Sequence, residues 1–141
     1  MAQPLERITH GAEKNATHSI IWLHGLGADG NDFVPILPQL ELRPTTRITF
    51  PHAPVRPITL NYGMPMRGWY DIKDFSFEQR DEDLAGIEAS AAQILAIAKE
   101  EEQRGIPAEN LLYAGFSQGG VLALYLGLRH PCAGILALST Y

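Results

Sequence analysis

The sequence contains very little cysteine: Cys132 is the single thiol in 141 residues. One thiol cannot form a disulfide within the chain, which favours a reducing compartment such as the cytoplasm. Cys132 follows Pro131 near a predicted strand, so we interpret it as a small buried side chain rather than a nucleophile. The sequence also lacks a Cys-x-x-Cys pair and a His-Glu-x-x-His motif. It therefore predicts neither a metal site nor a cofactor.

Positive charge and long apolar runs are also scarce. There are 11 Lys and Arg against 16 Asp and Glu, which gives a net charge of −5. An acidic balance argues against nucleic acid as a partner, because phosphates require a basic surface. No apolar run approaches the length of an integral membrane segment, and the first residues do not resemble a signal peptide. We expect a soluble, cytoplasmic protein with a small-molecule or lipid-like substrate; a homodimer is one open alternative for its oligomeric state.

Hydrophobic residues make up 45% of the chain, which is enough for one core. We therefore treat residues 1–141 as a single domain. The apolar patterns predict strands at 19–23, 47–50, 111–116 and 134–139, and helices at 32–41, 81–104 and 118–129. Strands that alternate with helices predict an α/β fold, with a mostly parallel sheet and helices on both faces.

One pentapeptide fits a catalytic motif. Gly115-Phe116-Ser117-Gln118-Gly119 matches Gly-x-Ser-x-Gly and lies between a predicted strand and a predicted helix, as a nucleophile elbow requires. Such a turn would expose the Ser117 hydroxyl and direct the Gln118 backbone N–H at a developing oxyanion. The alternative is that Ser117 merely caps the helix, which explains the serine but not the flanking glycines.

A second glycine-rich turn follows the first predicted strand. Residues 25–30 fit Gly-x-Gly-x-x-Gly, the pattern of a dinucleotide site. That interpretation needs an acidic residue about 20 positions later, and the sequence there, TFPH at 49–52, has none. A His-Gly turn at 24–27 instead predicts the second oxyanion donor, the Leu26 N–H. A purely structural turn is the third alternative.

Four segments follow one another along the chain: IWLHGLG at 21–27, PHAP at 51–54, WYDI at 69–72 and AGFSQGG at 114–120. Together they resemble the bacterial carboxylesterase / acyl-protein thioesterase (phospholipase/carboxylesterase) family. The resemblance covers nearly the whole chain. It implies an α/β-hydrolase fold without a large cap domain, and cleavage of carboxylic esters, in some members of acyl thioesters or lysophospholipids. It also implies that Ser117 is the nucleophile and that the amides of Leu26 and Gln118 form the oxyanion hole.

The chain departs from this family in its triad, which should run Ser, Asp, His along the sequence. No Asp or Glu follows Ser117, and the one later histidine, His130, lies at the far end of the helix that begins beside Ser117. We therefore expect residues 1–141 to be the N-terminal part of a longer hydrolase domain, and to be inactive alone. The alternative, if the chain ends at Tyr141, is a catalytically inactive acyl-binding module. His52, after a predicted strand, is a weaker candidate base.

The long irregular segment at 51–74 carries several large apolar side chains. Together with Leu26, three of them are predicted to line an acyl-binding wall: Met64, Met66 and Trp69. The alternative is that Trp69 pins the loop to the core.

Overall fold

The computed structural model describes residues 3–73 and 82–140. Five strands form one sheet in the order β1-β3-β2-β6-β7, and two more form a separate hairpin, β4-β5. The strands are β1 (Arg7–Gly11), β2 (His18–Leu23), β3 (Thr46–Pro51), β4 (Val55–Pro57), β5 (Pro65–Arg67), β6 (Leu111–Phe116) and β7 (Gly134–Leu138). The α-helices are α1 (Leu84–Gln103) and α2 (Gln118–Gly127), and 3-10 helices span Val34–Gln39, Thr59–Asn61 and Ala108–Asn110.

The sheet is mostly parallel, as predicted. β3, β2, β6 and β7 pair in parallel, and only β1 pairs antiparallel, at the edge beside β3. Parallel strands are normally buried on both faces, which accounts for the continuous apolar runs in β2 and β6. The pairing of Leu23 with Gly115 brings the carboxyl ends of these two strands side by side.

Successive residues of the strands point into two different cores. Ile21, Leu23 and Tyr113 pack against α1 and α2 on one face. On the other face, Ile20 and Trp22 belong to a second core, which the 3-10 helix Val34–Gln39 covers. Helical segments therefore lie on both faces, but both α-helices share one of them. The predicted helix at 32–41 is replaced by this shorter 3-10 segment because its prolines prevent a regular α-helix.

Helix α1 begins at a side-chain cap. The Asp83 carboxylate accepts hydrogen bonds from the backbone N–H groups of Gly86, at 3.1 Å, and Asp71, at 2.9 Å. The same cap therefore fixes the helix start and the end of the preceding loop. The predicted start at residue 81 lies outside the described residues.

The segment predicted as a long loop, 51–74, contains the β4-β5 hairpin and, after it, two fully buried aromatic residues, Trp69 and Tyr70; residue 74 lies outside the described residues. The hairpin itself is exposed at its tip, where Tyr62 is 95% and Met64 60% accessible. Among residues 3–73 and 82–140, no helix is both long and apolar enough to cross a membrane.

Candidate active site

Ser117 occupies the sharp turn between β6 and α2 with φ 53° and ψ −114°. A serine at these angles is strained by about 1–3 kcal/mol and persists only where its surroundings enforce the conformation. The Ser117 N–H donates to the Leu138 carbonyl at 2.9 Å, and the Ser117 carbonyl accepts from the Thr140 hydroxyl at 2.9 Å. The Ser117 side chain makes no capping hydrogen bond to α2. The capping alternative is therefore not what the structure shows.

The glycines of the motif allow backbone segments to approach closely. A Cβ atom on Gly115 would lie 2.2 Å from the Gly119 carbonyl oxygen, and one on Gly119 would lie 2.2 Å from the Leu23 carbonyl oxygen. Both distances are far below any tolerable contact with backbone atoms. The first glycine therefore lets α2 turn back onto β6, and the second lets α2 pack directly on the end of β2.

The turn at 24–27 lies against this elbow. A Cβ atom on Gly25 would be 3.2 Å from the Phe116 ring and 3.5 Å from the Phe116 carbonyl oxygen. Within the part of the chain that the structure describes, neither the Leu26 N–H nor the Gln118 N–H has a hydrogen-bond acceptor. Two backbone donors without an acceptor in the described residues thus belong to two adjacent turns.

The Gln118 side chain connects the elbow to the long loop. Its Oε1 accepts from the Trp69 N–H at 2.8 Å, and its Nε2 donates to the Tyr70 carbonyl at 2.7 Å. The Trp69 indole N–H in turn donates to the His24 carbonyl at 2.8 Å. The sequence pointed only to the Gln118 backbone, because nothing in the local pattern reveals side-chain partners nearly 50 positions away.

The predicted acyl-binding residues do not share one environment. Trp69 is completely buried, which agrees with its pinning the loop to the core, and its contact with an acyl group stays a prediction. Leu26 is half-buried beside Gly68, and the half-buried Met66 places its sulfur 3.6 Å from the position of a Cβ on Gly27. Met64 lies at the exposed tip of the hairpin. Of the four predicted residues, Leu26 and Met66 are therefore the ones that lie half-buried at the glycine turn.

His52, His130 and Cys132 have their own surroundings in the described residues. His52 is half-buried, and its Nδ1 accepts from the Gly30 N–H at 2.9 Å. His130 lies beyond the end of α2, and Cys132 is a half-buried thiol that contacts the Gly127 carbonyl at 3.7 Å. No group of three or more His, Cys, Asp or Glu in the described ranges is placed to hold a metal ion.

His24 is a buried histidine with two defined hydrogen bonds. Its Nε2 lies 3.0 Å from the Ala53 N–H and must accept, so its Nδ1 carries the proton and donates to the Gly25 carbonyl at 2.7 Å. Burial lowers the pKa of His24 below 6.5. The sequence predicted that this residue packs in the turn, but not that it bonds to both of these backbone groups.

Acidification is expected to destabilise the fold through His24. Because its pKa is lower in the folded state, the unfolded chain binds more protons below pH 6.5, and stability falls as the pH falls through that value. Charged or titratable neighbours are Asp29, His52 and Arg67. The melting temperature should therefore fall less between about pH 7 and about pH 5 in His24→Asn than in the wild type. Equal pH slopes in the two proteins would contradict this expectation.

Comparison with known proteins identifies the family of the chain. The family model described as phospholipase/carboxylesterase matches residues 5–141. Acyl-protein thioesterase 1 of Neurospora crassa is 43% identical over an alignment of 134 residues, and the match covers 89% of this chain and 55% of that protein. The corresponding protein of Mycosarcoma maydis is 37% identical over an alignment of 138 residues, and the match covers 89% of this chain and 58% of that one.

Solved structures give the same result. Arabidopsis thaliana SOBER1 superposes with a TM-score of 0.81 at 32% identity, covering 88% of this chain and 61% of its own. Zea mays acyl-protein thioesterase 2 gives a TM-score of 0.72 at 34% identity, covering 86% and 50% of the two chains. The fold is thus that of an α/β-hydrolase.

The chain belongs to the phospholipase/carboxylesterase family. It spans between 55% and 59% of the length of the curated relatives that it matches.

Proposed function

We propose that the natural protein is a serine hydrolase of carboxylic esters or acyl thioesters. The observation that carries the proposal is the strained Ser117 turn, which lies beside two backbone N–H groups that have no acceptor within residues 3–73 and 82–140. Those donors, Leu26 and Gln118, would stabilise negative charge on an acyl oxygen. Each is worth about 3–4 kcal/mol in a transition state of this kind.

In the proposed reaction the Ser117 Oγ attacks the acyl carbon while its proton passes to a general base. The C–O or C–S bond to the leaving group then breaks, the leaving group takes the proton, and an acyl-enzyme remains for water to hydrolyse. The carbonyl oxygen carries the charge between the two amides, with the positive end of α2 directed towards it.

The reaction needs a base and an acid that orients it. In the part of the chain that the structure describes, no histidine is hydrogen-bonded to the Ser117 hydroxyl. The curated relatives are longer than the aligned stretch. We propose that the base and its acid lie in a part of the natural protein that corresponds to the unaligned part of these relatives. Residues 1–141 would then be the nucleophile-bearing part of the domain.

The substrate class follows from the apolar surface at the turn. The Leu26 side chain belongs to the turn that carries one proposed oxyanion donor, and Met66 lies beside that turn. An apolar acyl chain is the group that these two side chains suit. The matched relatives are named acyl-protein thioesterases, which favours acyl thioesters among the candidates.

A fluorophosphonate probe tests the proposal in the natural full-length protein. The Ser117 Oγ should form a bond to phosphorus as fluoride leaves, and peptide mass analysis should locate the adduct at Ser117. Preincubation with an acyl thioester substrate should slow the labelling. Absence of labelling, combined with binding of an acyl ligand, would instead support an inactive acyl-binding module.

A further inference from the structure

One peptide unit carries both a pinned carbonyl and a proposed oxyanion donor. The Gly25 C=O and the Leu26 N–H belong to the same amide plane, and in a trans peptide they point in opposite directions. The Gly25 carbonyl oxygen accepts from His24 Nδ1 at 2.7 Å. Any group that fixes this carbonyl therefore also fixes the direction of the Leu26 N–H.

His24 is itself held from several sides. The Ala53 N–H donates to its Nε2 at 3.0 Å, and the Trp69 indole donates to its backbone carbonyl at 2.8 Å. The imidazole lies against the Trp69 ring, with the centroids 5.2 Å apart, and only 2% of the residue is exposed. The ring therefore has little freedom to rotate.

The Gly25 carbonyl has two donors: the Ala28 N–H inside the turn, at 3.2 Å, and the shorter bond from His24 Nδ1. Gly25 and Gly27 flank Leu26, and Gly27 adopts φ 78°, which only glycine adopts readily. Because Gly25 has no Cβ, local sterics define the Gly25–Leu26 peptide plane only weakly. A rigid side chain that bonds to one end of the plane can define it.

We propose that His24 is a positioning residue that orients the Gly25–Leu26 peptide so that the Leu26 N–H faces the acyl oxygen. The inference rests on the proposed hydrolase function and adds a residue that acts through the backbone rather than on the substrate. It assigns separate roles to the two ring nitrogens: Nδ1 directs the peptide, and Nε2 anchors the ring to Ala53.

Two amide substitutions separate these roles in the natural full-length protein. His24→Asn places an amide near the former Nδ1 and can still donate to the Gly25 carbonyl. His24→Gln places one near the former Nε2 and keeps only the anchor to Ala53. Loss of a single oxyanion donor costs about 10²–10³-fold in kcat, so a misdirected donor in His24→Gln should lower kcat by about 10–100-fold with little change in KM. His24→Asn should keep kcat within about fivefold of the wild type.

The matched control is His52→Gln, which loses a histidine hydrogen bond to the Gly30 N–H but does not touch the Gly25–Leu26 peptide. It should lower the melting temperature and leave kcat close to the wild-type value. Equal kcat losses in the two His24 variants, or an equal loss in His52→Gln, would overturn the positioning role. An inactive wild type, or one without a fluorophosphonate adduct at Ser117, would instead refute the hydrolase proposal itself.

Discussion

Replacing Ser117 with alanine is expected to lower kcat/KM for acyl ester hydrolysis by about 10⁴-fold or more in the natural full-length protein. The hydroxyl is the proposed nucleophile, and the alanine variant keeps the two donor amides but has no atom that can form an acyl-enzyme. Residual hydrolysis should show no burst, because no covalent intermediate accumulates. Steady-state and burst kinetics on one ester and one thioester provide the measurement; activity close to the wild-type value would show that another residue attacks.

Replacing Ser117 with glycine, unlike replacing it with alanine, is expected to raise the stability of the fold. Alanine keeps the strained φ of 53°, so Ser117→Ala should leave the free energy of unfolding nearly unchanged. Glycine adopts these angles readily and should recover about 1–3 kcal/mol of strain. Its greater freedom in the unfolded chain costs about 0.5–1 kcal/mol. Ser117→Gly should therefore be more stable than the wild type by about 1 kcal/mol, as measured by chemical denaturation; a less stable glycine variant would contradict the strain.

The two expected effects at Ser117, on activity and on stability, both depend on the backbone conformation of the elbow. A serine is held in a conformation that glycine adopts with less strain, and the hydrogen bonds from Ser117 to Leu138 and from Thr140 to Ser117 keep it there. A helix cap would require neither the strain nor the flanking glycines. The backbone strain at Ser117 lowers the stability of the fold, and strain of this kind is common at functional sites.

The sequence predicted the elements that depend on local pattern. The strand at 111–116 was predicted with the bounds that the structure shows, because an apolar run followed by Gly-x-Ser-x-Gly defines both its ends. The edge strand Arg7–Gly11 was missed, because an exposed antiparallel edge has no continuous apolar run. Its antiparallel pairing with β3 is visible only in the tertiary structure.

In the candidate site, too, some residues could be predicted from local motifs and others could not. Ser117 and the two donor amides follow from short motifs, since each motif implies its own turn. The anchor of the His24 ring and the contacts of the Gln118 side chain do not, because their partners Ala53, Trp69 and Tyr70 lie 29 to 49 positions away. Trp69 illustrates the difficulty: an apolar side chain in a loop can line a pocket, pin the loop or do both, and its complete burial is visible only in the structure.

A second large effect is expected at Gly119, where alanine should destabilise the fold by about 3 kcal/mol or more. The added Cβ would lie 2.2 Å from the Leu23 carbonyl oxygen and 2.6 Å from that of His24. Both are backbone atoms at the end of β2, so no side chain can rotate to relieve the clash. Relief requires α2 to move away from β2, and that movement carries the Gln118 N–H with it.

The matched control for this substitution is Gly63→Ala. Gly63 has φ 76° but nothing within 4 Å of an added Cβ, so its alanine variant carries backbone strain without a clash and should lose only about 1–2 kcal/mol. Thermal unfolding compares the two variants, and fluorophosphonate labelling below the melting temperature separates loss of folding from loss of the elbow. Gly119→Ala should label far more slowly than Gly63→Ala even when both are folded. Equal stability and equal labelling would mean that α2 can move away from β2 without disturbing Gln118. The close approach of α2 to β2 would then not determine the position of the Gln118 N–H.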